Sequence, residues 1–425
     1  MTTAATPSTC ALPDTPLAGA IPGIMTCVHC GFCLQACPTY LALGDENDSP
    51  RGRILLMRSL VDGTLGIDDP DVHTHIDQCL GCRGCETACP SGVPYGHLLE
   101  ATRATLSQAK PIPLIARIVL RVFERPRILA VVLAGARLLR ATRIPRLLKL
   151  LPGRVGFSMA MLAATEVGVP RQPYTHRATG GRGRTAILEG CVMRGLYSGT
   201  NRATARTLRA NGYDVVDVES QRCCGALHAH AGDLEGARRL ARKNIAAFEK
   251  SRVDFIAVNA AGCGAMMKDY GHLLDRDPEW SERAAGVSAN VRDASELLEA
   301  AGPMRGAPLP MTVTYDAPCH LLHAQRIVKA PLAVLAAIPE LMVRALPDAD
   351  QCCGAAGIYN LLEPDVSARV LAPKLTHIAT TQAAFVATGN PGCQMQIGAG
   401  MLRAGIGRGT VHPIDLLDAS YARMQ

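Results

Sequence analysis

The sequence predicts an α+β and α/β protein with four parts: a helical N-terminal domain over residues 20–105, a basic helical segment and linker over 106–180, and two copies of one α/β half-domain over 184–302 and 310–422. Three observations carry this reading. Two cysteine runs of identical spacing stand at 27–37 and 79–89. The stretch 111–154 interleaves arginine with leucine, isoleucine and valine between prolines. From Arg184 onward the chain repeats itself around the tripeptide Cys-Cys-Gly, at 223–225 and at 352–354.

The bulk numbers narrow the field before any motif is read. A chain of 425 residues, 48% hydrophobic and 19% charged, can bury a large core in more than one domain. Seventeen cysteines are many for such a chain. The opening MTTAATPSTCALPDTP has neither a basic stretch nor an apolar run, so no secretory signal is expected. That favours metal-binding or redox cysteines over a disulfide framework. The run ILAVVLAGA at 128–136 is too short for a membrane span, which needs roughly 20 residues.

Both N-terminal runs read C-x2-C-x2-C-x3-C-P: CVHCGFCLQACP and CLGCRGCETACP. This is the spacing of bacterial ferredoxins, in which three cysteines of a run hold one [4Fe-4S] cluster and the fourth ligates the other. The expected ligand sets are therefore crossed: Cys27, Cys30, Cys33 with Cys89, and Cys79, Cys82, Cys85 with Cys37. Structural zinc uses paired ligands rather than four per run. Between the runs, RGRILLMRSLV has apolar residues at helical spacing and predicts an inserted helix. Arg51 and Arg53 read there as surface charge or packing, with no assigned role.

The basic segment holds nine arginines and one lysine against the single acid Glu124, a net +9 in a chain whose total is +7. The rest of the protein is thus slightly acidic. PLIARIVLRVFER, PRILAVVLAGARLLRATR and PRLLKLLPG read as amphipathic helices. Such helices suit an anionic membrane face or an acidic partner. Nothing beside them resembles a nucleic-acid recognition motif.

In the repeat, Cys191, Cys223, Cys224 and Cys263 recur as Cys319, Cys352, Cys353 and Cys393, at offsets of 128 to 130 residues. TAILEG, YDVVDVE and VDFIAVNAAGC, with their counterparts TVTYDA, LMVRALP and AAFVATGNPGC, read as strands separated by helices. Alternating βαβ predicts a mostly parallel sheet in each half, with the cysteines beyond the strands' C-terminal ends, where open sheets bind ligands. Adjacent cysteines are poorly placed for a mutual disulfide, because their Cα atoms are about 3.8 Å apart. Each half therefore offers a four-thiol site. An unusual iron–sulfur cluster, a structural zinc and a redox dithiol all stay open for it.

Taken together, the strings CVHCGFCLQACPTY, CLGCRGCETACPSGVPYG, DAPCHLLHAQR and CCGAAGIYN resemble the family of glycolate oxidase iron–sulfur subunits. That family lies within the Cys-Cys-Gly (CCG) superfamily, which takes in the heterodisulfide reductase B-like proteins. The resemblance spans about 20–420. It implies a peripheral complex on the cytoplasmic face of the cell membrane, in which FAD-containing partner subunits oxidise glycolate to glyoxylate. This subunit would then pass electrons toward quinone and the respiratory chain. Subunits for D-lactate or glycerol-3-phosphate dehydrogenase, or a heterodisulfide reductase-like thiol reductase, are the alternatives. One departure matters. Where relatives end the CCG module in C-x-x-C, this chain has CGAM and CQMQ, so Met266 and Gln396 replace the second cysteine. No glycine-rich dinucleotide fingerprint follows a strand, so no flavin and no catalytic residue are expected on this chain. His228, His320, His323 and His412 read as structural.

Overall fold

The computed structural model describes residues 10–166, 174 and 180–424; of the expected linker, 167–173 and 175–179 lie outside the described residues. Residues 10–166 carry helices and no strand. The two cysteine runs are joined by helices Pro50–Val61 and Pro70–Asp77. Ser49 starts the first: its Oγ accepts from Gly52 N at 3.0 Å, and Pro50 occupies the first turn, where its missing N–H costs nothing. Asp69 caps the second in the same way. Ile54, Met57 and Leu60 of one and Val72 and Ile76 of the other meet Leu98 and Leu99 of helix Tyr95–Ala109, in a core that also takes in Cys79 and Cys85.

The basic segment forms helices Leu114–Glu124, Pro126–Ala141, Ile144–Leu148 and Gly153–Ala164, each with a proline in its first two positions or immediately before them. They wrap the second part of the molecule. Pro126–Ala141 packs on helix Val192–Leu196 of the first half-domain, and Gly153–Ala164 packs on Pro391–Ala404 of the second.

Each half-domain is a four-stranded parallel sheet. The first holds β1 (Arg184–Ile187), β2 (Asp214–Val216), β3 (Phe255–Val258) and β4 (Val291–Asp293) in the order β2-β1-β3-β4. The second holds β5 (Met311–Tyr315), β6 (Leu341–Arg344), β7 (Phe385–Ala387) and β8 (Thr410–Val411) in the order β6-β5-β7-β8. All six strand pairings are parallel. The three strands expected in each half are present. β4 and β8 are additional, and at three and two residues they are too short to leave an alternating pattern in the sequence.

The halves associate about a pseudo-twofold. Helix Ser198–Ala210 of the first packs on Pro413–Ala422 of the second, and Ala330–Ala336 of the second packs on Ala294–Ala301 of the first. Isologous packing of this kind lets one apolar surface serve both copies. Arg206 clamps Asp418 with two bonds of 2.9 and 2.5 Å, and Thr200 donates to Asp415 at 2.9 Å.

Asp293, at the end of β4, caps helix Ala294–Ala301 and is buried. Burial lifts its carboxyl to about 6, against the opposing bonds from Ser295. A folded-state value above the unfolded one means that the fold loses stability as pH rises from about 4 to 6, by roughly 3 kcal/mol. Asp293→Asn should therefore melt higher than the parent at pH 8 and lose that advantage below pH 4, which thermal melts across pH will check.

Candidate metal centres

The first run forms an exposed loop. Cys27, Cys30 and Cys33 line a cavity of about 30 Å³ together with Cys89 from the second run. A second cavity, of about 10 Å³, is lined by Cys37, Cys79, Cys82 and Cys85. The two cavities thus gather the cysteines in the crossed sets, with Cys85 reaching both. The donor chemistry fits a cationic cluster. Burial pushes the Cys33 thiol up to about 11 and raises Cys37 and Cys85, and neighbouring thiolates raise them further. Four thiolates can share such a site only when metal charge compensates them, so iron uptake displaces protons.

Arg53 is the largest fully buried side chain of the described residues, at 0% exposure. Its Nε donates to His75 O at 2.6 Å, and its Nη1 donates to Thr39 Oγ1 at 2.9 Å and to Asp48 O. Its Nη2 pairs with Asp48 Oδ1 at 3.0 Å, and Nη1 lies 4.0 Å from Cys37 Sγ. Burial alone would lower its pKa; Cys79, Tyr95, Cys37 and Asp48 outweigh that and hold it charged. Of the two readings, surface charge and packing near the clusters, Arg53 takes the second. The sequence could not disclose it, because the partners lie 5 to 22 residues away in an inserted segment. Arg51 is partly exposed, pairs with Glu46 at 2.6 Å, and reaches His29 O in the first cluster loop.

In the half-domains each cysteine follows a strand of the sheet's centre or its neighbour. Cys191 comes after β1, Cys223 and Cys224 after β2, and Cys263 sits in the first turn of helix Ala261–Lys268 after β3. Cys319, Cys352, Cys353 and Cys393 repeat the arrangement after β5, β6 and β7. Gly225 and Gly354 adopt φ of +95° and +82°, and a Cβ on Gly354 would lie 2.7 Å from Ser367 O. Only glycine turns the chain there without strain. In the first half Cys191, Cys223, Cys224 and Cys263 gather in one cluster beyond the strand ends. In the second, the thiols of Cys319 and Cys352 stand 4.0 Å apart, and Cys353 and Cys393 share one buried cluster. None of the seventeen cysteines is in a disulfide.

The positions that depart from C-x-x-C are filled, not vacant. Met266 is buried in the first core. Gln396 donates to Ser367 Oγ at 2.8 Å and accepts from Asn360 at 3.0 Å, so its amide is satisfied away from the thiols. Each half therefore presents four thiols.

Two contacts between these groups were not legible in the sequence. Cys82 of the ferredoxin run packs in one cluster with Cys319 and Cys352 of the second half-domain. Asn390 Nδ2 donates to Cys393 Sγ at 3.4 Å while its Oδ1 accepts from Gly262 N at 3.3 Å, beside Cys263. The expected structural histidines are hydrogen-bonded struts across the same seams. His320 meets Gly81 O at 3.0 Å, His323 meets Thr87 and Asp350 O, and His412 meets Asn259 O at 3.0 Å. His228 is buried, and burial lowers its pKa.

Comparison with known proteins matches this layout. The 4Fe-4S dicluster domain family matches residues 23–93, and the Cysteine-rich domain family matches 185–268 and 313–398. The probable glycolate oxidase iron-sulfur subunit of Bacillus subtilis (strain 168) is 38% identical over 413 residues, 93% of each chain. The chain belongs to the glycolate oxidase iron–sulfur subunit family. The glycolate oxidase iron-sulfur subunit of Escherichia coli (strain K12) is 34% identical over 94% of this chain and 95% of its own length. Lactate utilization protein A of Geobacillus thermodenitrificans (strain NG80-2) is 27% identical over 55% of this chain and 98% of its own. Membership brings two [4Fe-4S] clusters and an oxidoreductase role within a complex. No helix among the described residues is long and apolar enough to cross a membrane.

Proposed function

We propose that this chain is the electron relay of a glycolate-oxidising complex, taking electrons from an FAD-bearing partner and delivering them to respiratory quinone from a peripheral position on the cytoplasmic face of the cell membrane. The observation that carries the reading is the packing of Cys82 in one cluster with Cys319 and Cys352, which brings a ferredoxin cysteine beside the thiols of the second half-domain. When bound, [4Fe-4S] clusters of this kind carry single electrons. The proposed ligands are Cys27, Cys30, Cys33 and Cys89 for one and Cys79, Cys82, Cys85 and Cys37 for the other. The four-thiol sets at Cys191, Cys223, Cys224, Cys263 and at Cys319, Cys352, Cys353, Cys393 are proposed as redox metal centres. The packing of Cys82 beside Cys319 and Cys352 supports this over structural zinc, and Met266 and Gln396 speak against a five-thiol disulfide-cleaving site.

Donor docking is proposed at the first cluster loop. Cys30 is exposed, and Val28 and Phe32 beside it are 68% and 69% exposed, an apolar surface suited to a partner. Phe32→Glu should slow reduction by the flavin partner about tenfold, as loss of a central aromatic contact does, with iron content unchanged. Stopped-flow reduction of the two proteins will measure this; an unchanged rate moves the docking face elsewhere.

Membrane contact is proposed for 111–154. Twelve of the 22 exposed large apolar side chains fall between Leu114 and Val155, which a merely solvated arginine face would not give. The reaction itself is tested by isolating the complex and comparing its turnover of glycolate with that of D-lactate. The lactate utilization relatives make D-lactate the second reading. Faster D-lactate turnover would overturn the assignment.

A further inference from the structure

The two CCG sites are copies in sequence but not in setting. The second faces inward: Cys352 shares a core with Leu80 and Tyr359 and touches Cys82. The first faces the basic helices. Between Cys191 and Cys223 and the helix pair Leu114–Glu124 and Pro126–Ala141 lies a cavity of about 170 Å³. Phe123, Leu129 and Leu133 form its apolar wall, and the two thiols lie at its floor. At its rim stands Arg137, exposed and without a hydrogen-bond or ion-pair partner among the described residues.

The neighbouring outer surface is apolar. Val131 is 73% exposed and Leu138 70%, on the same helix that walls the cavity. A ligand arriving from the lipid side would meet an exposed cation at the rim, then the apolar wall, then the two thiols. An apolar cavity of about 150 Å³ holds one benzene ring; this pocket is of that size, with Arg137, Arg194, Gln221 and Arg222 adding polar lining to the apolar wall, and has room for a single substituted ring whose tail stays outside. By contrast, the cleft of about 900 Å³ between the ferredoxin domain and the first half is lined by His97, Glu100, Arg238, Arg242 and Asp269 and offers no such slot.

We infer that this cavity binds the headgroup of a membrane quinone, which makes the first CCG site the exit of the relay and the second an internal station. This rests on the relay reading above and adds the acceptor's location. Quinone takes up two electrons, one after the other, from the reduced iron–sulfur protein, which is reoxidised, and two protons from solvent, leaving as quinol. Arg137 is placed to donate a hydrogen bond to a ring carbonyl, while the wall residues hold the ring.

The test uses the full chain, purified anaerobically with its metals, and a short-chain azidoquinone for photolabelling mapped by mass spectrometry. Label should fall on 123–137 or 190–195. Ala130→Trp, at an exposed lining position, should cut labelling at least tenfold and slow reoxidation of the reduced protein by short-chain quinone in parallel, with iron content equal to the parent. Arg137→Glu should weaken labelling without altering the melting temperature. Label on 319–353, labelling insensitive to both substitutions, or reoxidation by disulfides but not by quinone would each overturn the proposal. Sedimentation with anionic vesicles is read separately. Vesicle binding without cavity labelling refutes the quinone site alone, and cavity labelling without vesicle binding upholds it while refuting the membrane reading.

Discussion

Arg53→Met should destabilise the protein by about 3–5 kcal/mol, because it strands Asp48 in a core with no cation to compensate it. Asp48 is 2% exposed, and His75 Nδ1 lies 3.1 Å from its Oδ1. Three further acceptors, Asp48 O, His75 O and Thr39 Oγ1, lose the Arg53 donor at the same time. The effect should extend to the metal. Arg53 is the buried cation nearest Cys37 and Cys79, so its loss should lower the affinity of that thiol set for its cluster and lower the cluster's reduction potential. Arg53→Lys keeps the charge but not the planar fork that reaches several acceptors together, and should fall between parent and Arg53→Met. Thermal melts and iron analysis will check this; parent-like melting and iron in Arg53→Met would mean that the insertion tolerates an unpaired Asp48.

Lys374→Met is the second large effect. Lys374 and Asp316 are 3% and 2% exposed and pair at 2.5 Å; Thr388 Oγ1 donates to the other carboxylate oxygen at 2.9 Å. Burial raises the Asp316 pKa and Lys374 opposes that rise, so removing Lys374 leaves a carboxyl that takes up a proton instead of staying charged. The loss should again be about 3–5 kcal/mol. The same lysine reaches Asp348 O and Ala349 O, each at 3.4 Å, on the loop that leads into Cys352. In the first half Asn244 stands at the corresponding helix position. It binds the equivalent loop with neutral bonds, accepting from Arg222 N at 2.8 Å and donating to Cys223 O at 3.0 Å. Lys374→Met should therefore strip metal from the second CCG site alone, leaving the ferredoxin-type EPR signal in place. Loss of both together would mean that the sites do not assemble independently.

Much of the architecture was legible because local rules wrote it. The cysteine spacing gave the ferredoxin loops, a constant offset gave the repeat, and the prolines of the basic segment punctuated its helices. Gly225 and Gly354 were readable as turn residues because their neighbours left no other use for them. The elements that escaped were short or distant. β4 and β8 are too brief for periodicity, and Arg53 looks like any helix arginine until Asp48, His75 and Thr39 close around it. The contacts that suggest a route, Cys82 with Cys352 and Asn390 between Gly262 and Cys393, join residues 128 to 270 positions apart or lie between separate loops. No one-dimensional pattern records them. The departure at Met266 and Gln396 was visible in the sequence, but its meaning was not; the structure adds that both positions are packed or hydrogen-bonded without the thiols.

The proposed relay begins at the ferredoxin cysteines and continues through the CCG sites. Its most direct test is iron and zinc quantification with EPR on the anaerobically purified full chain, beside Cys352→Ser. Two cubane clusters account for about eight irons. More than eight are expected in the parent, with negligible zinc, and iron should drop toward that value in Cys352→Ser with the ferredoxin signal retained. Eight irons with one zinc or more, or no ferredoxin-type signal after reduction, would contradict it.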